Sequence, residues 1–393
     1  MVGYKLEDMK AYSLDALKYG DRTVINLHFE PMQSAMLLAG DDLPAAAVSN
    51  APALRVRPGR EWRIESDPSK TDLNCYTIDY CQYAVADGQG GYEGYGDSKP
   101  VLGIMDELLA KRADTALKLR YEFTVSDDFD AGKCRELYLV TEYSDDWSMS
   151  LNGHVIRHDL VSWWKDRSFK KINVSGLVQP GLNEIVFEGS FAQKQKVYDV
   201  LFGENVLETE RNKLTYDTEI EAVYLIGNFG VVSCAPYTEG PRSALFTGSE
   251  DGFVIVNQNF CLKGTDIVRQ GWPFFSGRMT ITQDIEISDP SIRTVLDLGR
   301  PYAVALKVYL NGKFVKALTW ADWSVDISGY LKKGVNTLSI EIVTGNRNLL
   351  GPHHHPQGES YSIHPGAFGP NGNYGPESWR GDRYCFVKQG LSE

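Results

Sequence analysis

The chain has 393 residues, enough for two or three domains that each bury a core of their own. Its 42% hydrophobic and 23% charged content is that of a globular protein. Its net charge of −12 speaks against a nucleic-acid partner or an anionic membrane surface. No stretch approaches the roughly 20 apolar residues of a membrane span. The start Met1-Val2-Gly3-Tyr4-Lys5-Leu6-Glu7-Asp8 lacks the basic and apolar regions of a signal peptide, so a cytoplasmic location is expected if Met1 is the natural start.

In chain order, residues 1–65 carry short alternating runs, Thr23–Glu30 and Ser34–Leu38, broken by Pro31 and by Gly40-Asp41-Asp42. This reads as a small N-terminal β-segment. Residues 66–245 read as a first jelly-roll sandwich with a lead-in. The lead-in holds a strand over Asn74–Tyr83, a Gly/Tyr-rich loop from Asp87 to Gly96, and a helix over Pro100–Lys111. That helix is expected because residues 101, 104, 105, 108 and 109 are apolar at helical spacing, with proline at its start. Period-two strands follow at Leu119–Val125, Glu136–Thr141 and Glu184–Glu188. Residues 246–393 read as a second jelly roll, with Met279–Ile287 as its first regular strand. It ends in a Gly-, Pro- and His-rich tail over 351–381, a length that is usually functional or disordered. The fold class expected is therefore all-β.

A repeated module supports two related sandwiches. Leu151-Asn152-Gly153 is followed by Gly181-Leu182-Asn183, and Leu310-Asn311-Gly312 by Gly334-Val335-Asn336. Asn-Gly suits a tight hairpin because both positions tolerate positive φ. The six cysteines show no zinc-ligand spacing and are too scattered for a disulfide framework, so most are expected to be free and buried.

These turns, the closing hairpin Asp326-Ile327-Ser328 to Leu331-Lys332-Lys333-Gly334-Val335-Asn336-Thr337-Leu338, and Gly271-Trp272-Pro273-Phe274-Phe275-Ser276-Gly277 resemble a known group. They are similar to the C-terminal accessory domains of large bacterial glycoside hydrolases, of the α-L-rhamnosidase type and the galactose-binding-domain-like sandwiches of β-galactosidase relatives. Phe29–Ser34 and Leu73–Tyr80 resemble segments that follow the catalytic barrel in such proteins. The resemblance covers most of residues 20–350 and implies a carbohydrate-binding or accessory role beside a separate or upstream catalytic domain. It marks a fold better than an activity. No alternation of strands and helices that would build a (β/α)₈ barrel is present in the sequence, so catalysis by this chain alone is not expected. Two alternatives stand: a fragment or subunit that braces an absent barrel, and an autonomous all-β glycoside hydrolase or lyase.

Candidate site residues follow from residue type. Trp163 and Trp164, with Trp320 and Trp323 at the equivalent place in the second copy, together with Trp147 and Trp272, are candidate platforms for stacking a sugar. Their recurrence at one repeat position equally suits a shared structural role. Glu142, Asp145 and Asp146 form the densest acidic cluster near a strand end. They suit a glycosidase carboxylate, a structural Ca²⁺, or a solvated loop. His353 and His355, from a run of three histidines near Glu359, His364 and Asp382, are the metal candidates, although consecutive histidines point in different directions. No other cofactor is implied.

Overall fold

The computed structural model describes residues 53–359 and 381–391 except 133, 135, 143, 158–161, 249–251, 264, 265 and 382, together with parts of 2–40. His364 and Asp382 lie outside the described residues. The protein is an all-β fold of packed sheets around two hydrophobic cores.

Strict alternation builds the first sandwich. Thr115–Val125 buries Leu117, Leu119, Tyr121, Phe123 and Val125 on one face, while the residues between them point outward. It pairs along its whole length with Gly181–Phe191, which adds Ile185 and Phe187 to the same face. Tyr80–Val85, Ser148–Leu151 and His154–Val155 extend this sheet, and Phe253–Asn257 joins it in parallel. The facing sheet runs Ser162–Trp164, Asp166–Asn173, Leu137–Thr141, Val223–Gly227 and Asn74–Ile78. The expected helix forms over Val101–Ala110, and its apolar stripe is buried against this sandwich. Two short helices, Gln195–Phe202 and Glu208–Arg211, follow the strand Gly181–Phe191.

The second sandwich is discontinuous in sequence. Its larger sheet runs Cys261–Lys263, Glu61–Ile64, Arg278–Ile287, Gly334–Val343, Ala305–Leu310 and Lys313–Leu318. The smaller runs Ser324–Asp326, Thr294–Asp297 and Leu54–Val56. Strands from the first sixty-five residues thus complete the last sandwich, because Trp62 and Ile64 share a core with Ile281, Val308 and Ile340. Residues 74–257 form the first sandwich as an insertion between strands of the second. The structure therefore differs from the chain-order division at 65 and 245. Phe253, Ile255, Tyr384 and Phe386 lie in the first core, and Arg383–Val387 pairs with Ala244–Gly248. The turn at 272–275 separates the cores, with Trp272 and Phe275 in the second and Phe274 in the first. The six cysteines form no disulfide, four of them being buried and Cys234 and Cys261 exposed.

The repeated module has the same hydrogen bonding in both copies. Asn152 and Asn311 sit at φ 51° in the two hairpin turns. Asn152 Nδ2 donates to Leu177 O and Asn183 Oδ1, and its Oδ1 accepts from Glu184 N. Asn311 Nδ2 donates to Tyr330 O and Asn336 Oδ1, and its Oδ1 accepts from Thr337 N. The buried partners Asn183 and Asn336 each close their own turn, accepting from the amide four residues back and donating to two carbonyls. An amide side chain is required here because it alone supplies two donors and an acceptor in one plane. Replacing Asn183 or Asn336 with alanine leaves buried backbone groups unpaired, and each change is expected to cost about 2–4 kcal/mol in urea unfolding. Unchanged midpoints would show that the clasp contributes nothing.

Candidate functional site

At one end of the second sandwich the loop Arg57–Arg60 faces Lys263, the residues Asp266, Arg269 and Gln270, and the turn Asp297–Gly299 across a cavity of about 480 Å³. That volume lies within the range of small-molecule sites. The loop is held by Gln283, whose side chain accepts from Gly59 N at 2.8 Å and donates to Gly59 O at 3.2 Å. Trp62 and Leu391 supply the apolar wall. Trp62 is only 3% exposed, since the alternation of Glu61–Ile64 turns it inward, and its indole N–H has no acceptor among the described residues. A buried, unpaired donor of this kind costs about 1–3 kcal/mol.

Charge dominates the rest of the wall. Arg57 meets Asp297 at 3.5 Å, and Arg269 meets Glu239 at 3.0 Å and Asp266 at 3.7 Å. Arg60 and Lys263 have no carboxylate partner among the described residues. Asp266 accepts from Val268 N through Oδ1. Burial raises its carboxyl above the usual range, against the pull of that hydrogen bond and of Arg269.

A second polar cluster lies where the chain returns to the first sandwich. Asp79 Oδ1 accepts from Tyr384 Oη at 2.7 Å, and its Oδ2 stands 3.0 Å from His354 Nε2 and 3.4 Å from His353 Nδ1. The far nitrogen of each ring faces a carbonyl, Asn348 O for His353 and Arg383 O for His354. Burial on its own would raise the Asp79 carboxyl, but the charges and hydrogen bonds of His354 and His353 hold it far below the usual range. Asp79, His353 and His354 line a small cavity of about 120 Å³ with Glu221 and Tyr224. The Glu221 carboxyl is pushed up to about 8, first by burial and then by Glu219 and Glu142.

The residues singled out on the sequence are scattered. Trp147 and Trp272 are buried, Trp147 against Phe187 and Trp272 edge-on to Phe275, so neither offers a face to a sugar. This corrects the expectation for both, since a ring without an exposed face cannot stack a ligand. Trp164 and Trp323 pack against the two cores, while Trp163 and Trp320 are exposed, so the repeat pairs one packed with one exposed tryptophan. Glu142 accepts from Ser168 Oγ, and Asp145 and Asp146 lie exposed on the turn Ser144–Asp146. His353 converges on Asp79 with His354 rather than with His355, whose Nδ1 accepts from Gln357 N. Among the described residues no group of three or more His, Cys, Asp or Glu is arranged to hold a metal ion. Sequence reasoning missed Trp62, Arg57, Arg60, Lys263 and Asp79. The available signal was the Arg-x-Arg-Pro-Gly-Arg-Glu-Trp run at 55–62, basic and glycine-turned within an acidic chain.

No protein-family model and no curated protein matches the chain. Among solved structures, a rhamnosidase from Novosphingobium sp. PP1Y aligns over 70% of this chain and 22% of its own, at 15% identity and a TM-score of 0.23. A β-D-mannosidase from Dictyoglomus thermophilum aligns over 73% and 32%, at 14% identity and a TM-score of 0.25. The β-glucuronidase of Ruminococcus gnavus aligns over 74% and 45%, at 10% identity and a TM-score of 0.28. All three are glycoside hydrolases, and the chain spans less than half the length of each. Likeness at this level gives no residue a role.

Two pH-dependent outcomes follow. The folded Asp79 carboxyl titrates below its unfolded value near 3.9, so its contribution is complete above about pH 4 and fades as pH falls. Asp79→Asn is therefore expected to lower stability by about 3–5 kcal/mol at neutral pH and far less in acid, measured by urea midpoints. Glu221 has the opposite sign. Its folded value near 8 favours the fold below the unfolded value of about 4.3, and that preference is lost as pH rises through 8. Glu221→Gln should gain on the order of 3 kcal/mol in alkaline solution and nothing at about pH 4. Equal effects across pH would contradict both assignments.

Proposed function

We propose that this chain is a non-catalytic, carbohydrate-binding β-sandwich protein of a glycoside hydrolase system, with the cavity at the end of the second sandwich as its sugar site. The observation that carries this reading is the composition of one wall. A buried indole with an unpaired N–H stands beside charged donors and the carboxylates of Asp266 and Asp297. Sugar hydroxyls are both donors and acceptors, and such a mixed wall can satisfy both roles.

Each hydroxyl exchanges water for protein at small net gain, so monovalent affinity is expected on the order of 10⁻⁴ to 10⁻³ M. Calorimetry with neutral and charged oligosaccharides of plant and host glycans tests this, and an absence of binding throughout the millimolar range defeats it. Trp62→Phe keeps the ring and removes the donor. It is expected to weaken binding about five- to tenfold, the worth of one hydrogen bond.

One observation favours a second reading, in which the chain braces a separate catalytic domain. Leu17, Tyr19, Val24, Phe29, Met36 and Leu37 are all exposed in the N-terminal segment. Leu17, Tyr19 and Val24 lie on one two-stranded hairpin, and exposed large apolar side chains of this kind are what a partner covers. Under this reading, co-expression with a barrel domain encoded beside it gives a complex that Leu17→Asp with Tyr19→Asp disrupts. A complex indifferent to both changes, or no complex, counts against it.

A further inference from the structure

We infer that the ligand of the second-sandwich cavity is an acidic sugar, bound through an anionic substituent held by Arg60 and Lys263. The inference rests on reading this cavity as a sugar site and names the class of sugar it takes. Arg57, Arg60, Lys263 and Arg269 line it with the carboxylates of Asp266 and Asp297, and Glu239 pairs with Arg269 from outside the cavity. Elsewhere the chain is strongly acidic, with a net charge of −12, so this wall reverses the sign of the whole protein.

The existing ion pairs do not exhaust the positive charge. Asp297 faces Arg57 and also accepts from Gly299 N, and Arg269 is engaged by Glu239 and Asp266. Arg60 and Lys263 remain on the rim, exposed and without a carboxylate partner among the described residues.

A guanidinium and an ammonium on facing segments form a two-point cradle for a carboxylate or a sulfate ester. The cavity wall behind them lowers the local dielectric and strengthens that attraction. Lys263 is fixed in place through its backbone N–H, which donates to Gln270 Oε1 at 2.7 Å. Arg60 ends the loop that Gln283 clamps. The two cations are thus carried by braced backbone, and Trp62 lines the same cavity.

Uronate oligosaccharides of the galacto, gluco and manno series test the inference when titrated beside their methyl esters, which differ only in charge. The expected result is at least tenfold tighter binding of one free acid than of its ester, weakened by salt and lost in Arg60→Ala/Lys263→Ala. Both positions are exposed, and an unchanged melting temperature confirms that the variant folds. A sulfated oligosaccharide that binds as the acid does, with the same loss in the variant, supports the shared anionic chemistry and names sulfate as its source. Acid and ester binding alike, or neutral sugars binding while acids do not, overturns the inference and leaves the sugar-site reading standing. Inorganic sulfate binding as tightly as every acidic sugar also overturns it, because the cradle would then be a bare anion site. No binding of any sugar removes both.

Discussion

One long-range pairing holds the fold together, that of Glu61–Ile64 between Cys261–Lys263 and Arg278–Ile287. It closes a sheet whose strands are separated by the whole first sandwich. It also sets Trp62 and Ile64 into the second core and suspends the Arg57–Arg60 loop at the sandwich end. Closing so long a loop is entropically unfavourable, though the cost grows only slowly with length. The compensation is visible in the burial of Trp62 and Ile64 and in the parallel pairing of Leu54–Val56 with Thr294–Asp297. A second crossing, Arg383–Val387 against Ala244–Gly248, ties the tail to the other core. The two sandwiches are nested and fastened to each other at both ends of the insertion.

This nesting explains why the two polar clusters occur where they do. The Asp79 cluster forms where the tail returns, and it joins the end of strand Asn74–Ile78 to His353, His354 and Tyr384. Every polar atom there has a protein partner at hand, and aromatic rings pack around it, His354 lying 4.4 Å from Tyr384 between ring centres. Those are the properties of a buried fastening, which rigidifies when fully satisfied. The second-sandwich cavity has the opposite character. Its cations exceed its carboxylates, and its deepest donor is unpaired. One cluster is satisfied within the chain, and the other leaves a buried donor unpaired among the described residues.

Local chemistry was legible in the sequence, and topology was not. The duplicated Asn-Gly and Gly-x-Asn elements were readable because the clasp demands those residue types at positive-φ turns and a buried amide. The helix at Val101–Ala110 and the strand at Thr115–Val125 were readable from their periods. The insertion of one sandwich into the other was not, since β pairing across some two hundred residues leaves no mark on local periodicity. The same holds for the cavity, which draws on four separated segments. Trp147 and Trp272 show a further limit, because a tryptophan that stacks a sugar and one that fills a core look alike in sequence. The flanking pattern could have helped at Trp272, which sits in a run of aromatic residues with no polar alternation.

The proposed ligand recognition takes place at this closing seam, beside Trp62, rather than on the exposed tryptophans of the repeat. The eight tryptophans give eight indole N–H resonances in a ¹⁵N-correlated spectrum, and Trp62→Phe identifies the one that matters. On titration with an acidic oligosaccharide the Trp62 indole signal should move saturably while those of Trp163 and Trp320 stay in place. Movement of the Trp163 or Trp320 signals with Trp62 unchanged would contradict the claim.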